Sequence, residues 1–132
     1  MRKTFRNEAD VKDAVKSIIK AHAAWYHMPV IGAYGVQGVP DFDIVMNGRS
    51  IRIETKFSKN HRPTLRQQLC LYNLTKAGAL CMVINEKNIG DFALVMDMLE
   101  TGRVTDATAL CHANVSKYFD LLSEEFRPCG NV

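Results

Sequence analysis

Asp41, Glu54 and Lys56 are brought together by a turn that can be read directly from the chain. The stretch Pro40-Asp41-Phe42-Asp43-Ile44-Val45-Met46 leads into Asn47-Gly48, and Arg49-Ser50-Ile51-Arg52-Ile53-Glu54-Thr55-Lys56-Phe57 follows. Apolar and polar residues alternate on both arms, the period of half-buried strands. Asn-Gly favours a two-residue type I′ turn, which pairs Met46 with Arg49, Val45 with Ser50 and, counting outward, Asp41 with Glu54. Directly opposed residues have Cβ atoms roughly 5 Å apart, and Lys56, two residues further on, projects from the same face. That face then carries Asp41, Asp43, Arg52, Glu54 and Lys56, while Phe42, Ile44, Ile51, Ile53 and Phe57 form an apolar face that other elements must cover. A three-residue loop would shift the pairing by one and undo the alignment.

Two adjacent carboxylates repel unless one is protonated or a cation lies between them. Hard oxygen ligands suit Mg²⁺ or Mn²⁺, ions that also bind phosphate. A lysine beside such an ion can orient or help deprotonate an attacking water, or offset negative charge developing on phosphorus oxygens. Phosphodiester hydrolysis fits those roles. The same spacing also fits an exposed sheet face with cross-strand ion pairs, Asp43 with Arg52 and Glu54 with Lys56, and the hairpin by itself does not separate the two readings.

The rest of the composition bounds the answer. A chain of 132 residues with 47% hydrophobic content is expected to form one domain with its own core. No run approaches the roughly 20 apolar residues that span a bilayer, and Met-Arg-Lys-Thr-Phe-Arg lacks the apolar stretch of a signal peptide, so a cytosolic protein without a membrane partner is expected. Cys70, Cys81, Cys111 and Cys129 are scattered and are read as reduced core or surface thiols. His22, His27, His61 and His112 have no zinc-like spacing, so any metal site should be built of carboxylates. A net charge of +3 and a pI near 8.7 permit nucleic acid without demanding it. Lys56, Lys59, His61, Arg62 and Arg66 cluster just after the candidate site, where a phosphate backbone would lie. A solvated loop is the plainer account of the same cluster.

The elements that must position these groups follow from periodicity. Asn7 with Asp10 resembles a capping box, and Val11, Ala14, Val15, Ile18 and Ile19 recur at helical spacing up to about Ala24. Continued backward, this stripe places Glu8 near the sheet side as a candidate third carboxylate, although pairing with Lys12 four residues on accounts for it equally well. Lys12, Lys16 and Lys20 are read as a solvated row. Residues 28–39 read as a weak strand followed by glycines that let the backbone approach something closely. Thr64 with Gln67 reads as a capping box opening a helix through about Lys76 with a stop at Gly78, and capping alone explains Gln67. Leu80-Cys81-Met82-Val83-Ile84 reads as a buried strand. Helices are expected from Asp91 to Glu100, stopping at Gly102, and over residues 115–126; their apolar faces could cap the core or pair two subunits, with core packing favoured. Asn114-Val115-Ser116 matches a glycosylation triplet, which is discounted without other signs of secretion. The predicted class is α/β, with a mixed sheet flanked by helices in the order α-β-β-β-α-β, followed by C-terminal helices.

Glu8 in a first helix, Gly38-Val39-Pro40-Asp41, Glu54-Thr55-Lys56, Thr64-Leu65-Arg66-Gln67 and Gly78 occur in an order that resembles the VRR-NUC family of the PD-(D/E)XK nuclease superfamily. The resemblance covers about residues 5–85 of a single domain over residues 1–132, with residues 86–132 as a helical extension. It implies a restriction-endonuclease-like core that cuts nucleic acid with Mg²⁺ or Mn²⁺. By position, Asp41 and Glu54 would be metal ligands, the Thr55 carbonyl a further ligand and Lys56 the catalytic lysine; Glu8 and Gln67 match the accessory acid, also a potential ligand, and the family's glutamine. Lys59, Arg62 and Arg66 would face DNA. The family's helix often opens Ser-Pro-x-Gln, and this chain has Thr64-Leu65 there, a change that keeps the capping logic. Small stand-alone members resemble viral proteins that act as homodimers on four-way DNA junctions, so branched DNA, a homodimer and, for a viral chain, the host cytoplasm are the expected setting. A flap or nicking nuclease, or a non-cleaving nucleic-acid-binding module on the same fold, is the alternative.

Overall fold

Asn7 begins the first helix with an extended backbone, and its Oδ1 accepts the backbone N–H of Asp10 at 3.0 Å, satisfying one donor that a helix start leaves open. Helix α1 (Glu8–Lys20) has Glu8 and Asp10 in its first turn and Lys20 in its last, the order its dipole favours. Val11, Val15 and Ile19 are wholly buried along one stripe. The computed structural model describes residues 4–30, 38–58 and 61–119.

The helix stops at Lys20, not near Ala24, and the first strand lies earlier than expected, at β1 (Trp25–His27). Alanines at positions 21, 23 and 24 prolong the helical composition, but Trp25 and Tyr26 favour a strand and pair with the hairpin. Of the stretch expected to hold that strand, residues 31–37 lie outside the described residues.

The hairpin forms in the expected register. Strands β2 (Phe42–Met46) and β3 (Arg49–Thr55) pair antiparallel with Met46 opposite Arg49, Val45 opposite Ser50, Asp43 opposite Arg52 and Phe42 opposite Ile53. Asn47 and Gly48 take φ of 51° and 76°, the left-handed pair a type I′ turn requires. Helix α2 (Leu65–Lys76) crosses over to β4 (Leu80–Ile84), which lies parallel to β3, and the sheet order is β1-β2-β3-β4. This is an α/β architecture with a four-stranded mixed sheet flanked by helices.

Alternation along the strands divides the core. Phe42, Ile44, Met46, Ile51, Ile53, Met82 and Ile84 pack on the stripe of α1 and on Phe92, Val95, Met96 and Leu99 of α3 (Ile89–Glu100). Cys81 and Val83, on the other face, meet Leu71 of α2 and Val115 and Tyr118 of α4 (Val104–Phe119). All five residues of β4 are buried, as suits a parallel strand covered on both faces.

Helix α4 begins eleven residues before the expected 115–126 helix, and positions beyond Phe119 lie outside the described residues. Its buried positions Ala107, Cys111, Val115 and Tyr118 do repeat at helical spacing, but the first two are small and contribute little to a hydropathy pattern. Asn114, the residue of the glycosylation triplet, closes the outer edge of the sheet. Its Oδ1 accepts the Val83 N–H at 2.7 Å and its Nδ2 donates to the Val83 carbonyl at 3.0 Å, imitating a neighbouring strand. Cys70 is half-buried, Cys81 and Cys111 are buried, and all three are free thiols; Cys129 lies outside the described residues. Among the described residues no helix is long and apolar enough to cross a membrane.

Candidate active site at the open end of the hairpin

Asp41 sits one residue outside β2, the next position outward from the Phe42–Ile53 pair. Its Oδ2 accepts the Thr55 backbone N–H at 2.9 Å and the Thr55 hydroxyl at 2.6 Å. Two donors on one oxygen hold the carboxylate in place and leave Oδ1 facing Lys12, whose Nζ lies 3.9 Å away. Lys12 is in turn 3.3 Å from Glu8 Oε2. The first turn of α1 thus comes to the open end of the hairpin, and Lys12 belongs to the site instead of to a solvated row. Its spacing, four residues after Glu8, foretells the pairing with that acid, whereas the approach to Asp41 comes from another element and has no local signal.

Glu54, on β3, is only 2% exposed. Its Oε2 accepts from Gln67 Nε2 at 2.9 Å and lies 3.5 Å from Lys56 Nζ; its Oε1 is buried without a hydrogen-bond partner. Burial pushes the Glu54 carboxyl up to about 8, with the Asp41 and Glu8 carboxylates adding to the effect and Lys56 opposing it. A buried carboxyl with one oxygen bare of donors is a group that either a proton or a cation would stabilise.

Gln67 reaches Glu54 because the start of α2 is held in two ways. Thr64 Oγ1 accepts the Gln67 N–H at 3.2 Å and Gln67 Oε1 accepts the Thr64 N–H at 2.8 Å, a complete capping box. The expectation that capping alone accounts for Gln67 is therefore corrected: the amide's oxygen caps the helix and its nitrogen binds the candidate ligand. Gly38 supplies the second hold. A Cβ there would stand 2.7 Å from the Arg66 carbonyl oxygen, so the chain leading to Pro40 and Asp41 lies directly against the first turn of α2. This is the close approach that the glycine-punctuated lead-in implied.

Behind Lys56, the Ser58 N–H donates to Glu86 Oε1 at 2.9 Å and the Ser58 hydroxyl donates to Glu86 Oε2. Burial acts to raise the Glu86 carboxyl, but the two Ser58 hydrogen bonds outweigh it and hold the group below the usual carboxylate range. The turn after β4 thereby anchors the segment that carries Lys56.

Glu8, Asp41, Glu54, Lys56 and Gln67 converge, with Thr55 serving through its hydroxyl and backbone N–H. Arg62 and Arg66 are exposed, Arg62 with its guanidinium 5.9 Å from the Tyr118 ring centre, and Lys59 lies outside the described residues. Both ion pairs of the plainer reading also form, Asp43 with Arg52 at 3.0 Å and Glu54 with Lys56 at 3.5 Å. The first is partly exposed and ordinary; the second is buried beside an orphaned oxygen, which a surface ion pair does not require.

Glu8, Asp41 and Glu54, with one buried Glu54 oxygen unpartnered, are donors of the type a hard divalent cation takes, and Lys12 stands between the first two. A second cluster lies at the far end of α1, where His22 Nε2 is 2.7 Å from Asp97 Oδ1 and 3.6 Å from Glu100 Oε2. His22 and Asp97 are 75 residues apart in sequence, and the ligand atoms of all three residues lie within 4.8 Å of one another, a spacing that could also hold a cation. Compared with protein-family models and with curated proteins, the chain matches none.

Proposed function

We propose that this protein is a divalent-metal-dependent endonuclease that hydrolyses DNA phosphodiester bonds on a restriction-endonuclease-like core. The observation that carries the reading is Glu54, buried beside Asp41, paired with Lys56 and Gln67, and left with one oxygen lacking a donor. Asp41 and Glu54 would hold Mg²⁺ or Mn²⁺, and Glu8 would join them if Lys12, which now pairs with Glu8 and Asp41, gave up its position. When bound, such an ion supplies Lewis acidity toward a phosphate oxygen and lowers the proton affinity of water.

The chain's own groups supply the rest. Lys56 Nζ stands 3.5 Å from Glu54 Oε2, where it would orient a water for in-line attack and offset charge growing on the phosphorus oxygens. Thr55 fixes the direction of Asp41, and Gln67 fixes that of Glu54, so neither carboxylate has to be ordered when substrate arrives. Arg62 and Arg66, exposed beside the α2 start, would meet a phosphate backbone. Branched DNA as substrate and a homodimer as the working form are supported by the resemblance to small VRR-NUC proteins.

The test is cleavage of four-way junctions, flaps and linear duplex with and without Mg²⁺ or Mn²⁺. Metal-dependent cutting abolished by Lys56→Ala is expected, and paired symmetric cuts in a junction would report the dimer. No cutting of any substrate, with junctions bound equally by wild type and Asp41→Ala, would instead mark a non-cleaving binding module.

A further inference from the structure

Lys12 is the one charged group of the site to which the nuclease reading gives no task. Its ammonium stands 3.3 Å from Glu8 Oε2 and 3.9 Å from Asp41 Oδ1, with the side chain 30% exposed. Pairing within the helix explains the contact with Glu8 but not the one with Asp41, which comes from the hairpin. Helix α1 delivers the lysine there because Val11 and Val15, on either side of it in sequence, are wholly buried and fix the rotation of the helix. Asp41 Oδ2 is taken by Thr55, so Oδ1 is the oxygen left for a cation, and Lys12 Nζ lies 3.9 Å from it.

We propose that Lys12 is a built-in counter-ion that occupies the cation position between Glu8 and Asp41, competes with the divalent metal for it, and so sets the metal concentration at which the site loads. The inference rests on the nuclease reading of the same site. An ammonium suits this role, because it is a compact charge on a flexible four-carbon stem that can swing aside without moving the helix. While in place it reduces the repulsion between two carboxylates that approach each other without a metal. Once displaced it leaves those oxygens to an ion of twice the charge. No covalent or proton-transfer step is involved.

Titration calorimetry of Mg²⁺ and Mn²⁺ into the metal-free full chain tests this, with Lys12→Gln, Lys12→Arg and, as a control for the loss of one positive charge, Lys20→Gln on the exposed last turn of α1. A unit charge about 4 Å from the ligand oxygens, in partly solvated surroundings, should change metal affinity on the order of tenfold. Lys12→Gln is therefore expected to bind metal about tenfold more tightly than wild type, to melt at a lower temperature without metal, and to recover with saturating metal. Lys12→Arg, which keeps the charge, and Lys20→Gln should stay close to wild type. Equal or weaker metal binding by Lys12→Gln, with wild type binding normally, overturns the counter-ion role and leaves the nuclease reading standing. No metal binding by wild type overturns both.

Discussion

Gln67 uses both ends of its side-chain amide: Nε2 donates to Glu54 Oε2 at 2.9 Å while Oε1 accepts the Thr64 backbone N–H at 2.8 Å. The same residue therefore ties the start of a helix to a buried carboxylate on the adjoining strand. Gln67→Ala should lower stability by about 1–3 kcal/mol, from the lost cap and the lost hydrogen bond, as read by urea denaturation. Gln67→Glu keeps an acceptor for the cap but sets a second carboxylate against Glu54, so it should hold more of the stability than Gln67→Ala yet lose metal-dependent cleavage. Wild-type cleavage by Gln67→Glu would reduce Gln67 to a cap.

Glu54 should make the metal-free protein less stable as pH rises. Its folded-state carboxyl is pushed up to about 8, chiefly by burial and then by Asp41, from an ordinary value of 4.5. The folded form holds this proton more tightly than the unfolded form, so the stabilisation is fully present below 4.5 and is lost as pH climbs toward 8. The loss is on the order of 4 kcal/mol across that window. Urea denaturation without metal at pH 5 to 8.5 should show the decline, and Glu54→Gln should flatten most of it. Calorimetry near pH 7 should show protons released when Mg²⁺ binds wild type. A wild-type profile as flat as that of Glu54→Gln would contradict the account.

His22 should add a decline of the same sign above pH 6.5. Burial pulls its imidazolium down, but the Ile18 carbonyl at 2.7 Å, Asp97 and Glu100 together raise it above 6.5. Its contribution is complete below 6.5 and disappears as pH rises through the folded-state value. Because Glu54 acts in the same direction, the measurement belongs in a Glu54→Gln background, where adding His22→Asn should remove the remaining decline above pH 6.5. A decline that persists in the double variant would assign it elsewhere.

Gly38 and Gly48 both take positive φ, 83° and 76°, but only Gly38 lies against a neighbour. A Cβ on Gly48 meets nothing within 4 Å, whereas one on Gly38 would be 2.7 Å from the Arg66 carbonyl oxygen. Gly48→Ala should cost about 1 kcal/mol from backbone strain alone. Gly38→Ala should cost about 1–3 kcal/mol more and also shift Gln67 from Glu54, so that cleavage falls further than stability alone would explain. Equal costs in equilibrium denaturation would mean that α2 can yield at no expense.

Local rules carried much of the architecture. Asn47-Gly48 and the alternation around it determined the hairpin, its register and the facing of Asp43, Arg52 and Glu54, because a two-residue turn leaves one pairing and a slip would bury charge. Thr64 and Gln67 likewise marked the start of α2, and the unbroken run at residues 80–84 marked the buried strand. Pattern and packing separate at two elements. β1 begins earlier than the pattern predicts because alanines prolong a helical composition, and α4 begins earlier because Ala107 and Cys111 bury little surface each.

The sequence by itself determined that Asp41, Glu54 and Lys56 share the open end of one hairpin, since all three lie within 16 residues and a single turn relates them. Only the tertiary structure decided what surrounds them. Lys12 reaches Asp41 from another element, Gln67 turns its free nitrogen to Glu54, and Gly38 brings two backbones into contact. Glu54 is buried beside Gln67 and Lys56, and burial is the main cause that raises its carboxyl while one oxygen has no donor. Residue spacing conveys which groups can meet, but the local dielectric and the unpaired atom arise from how whole elements pack.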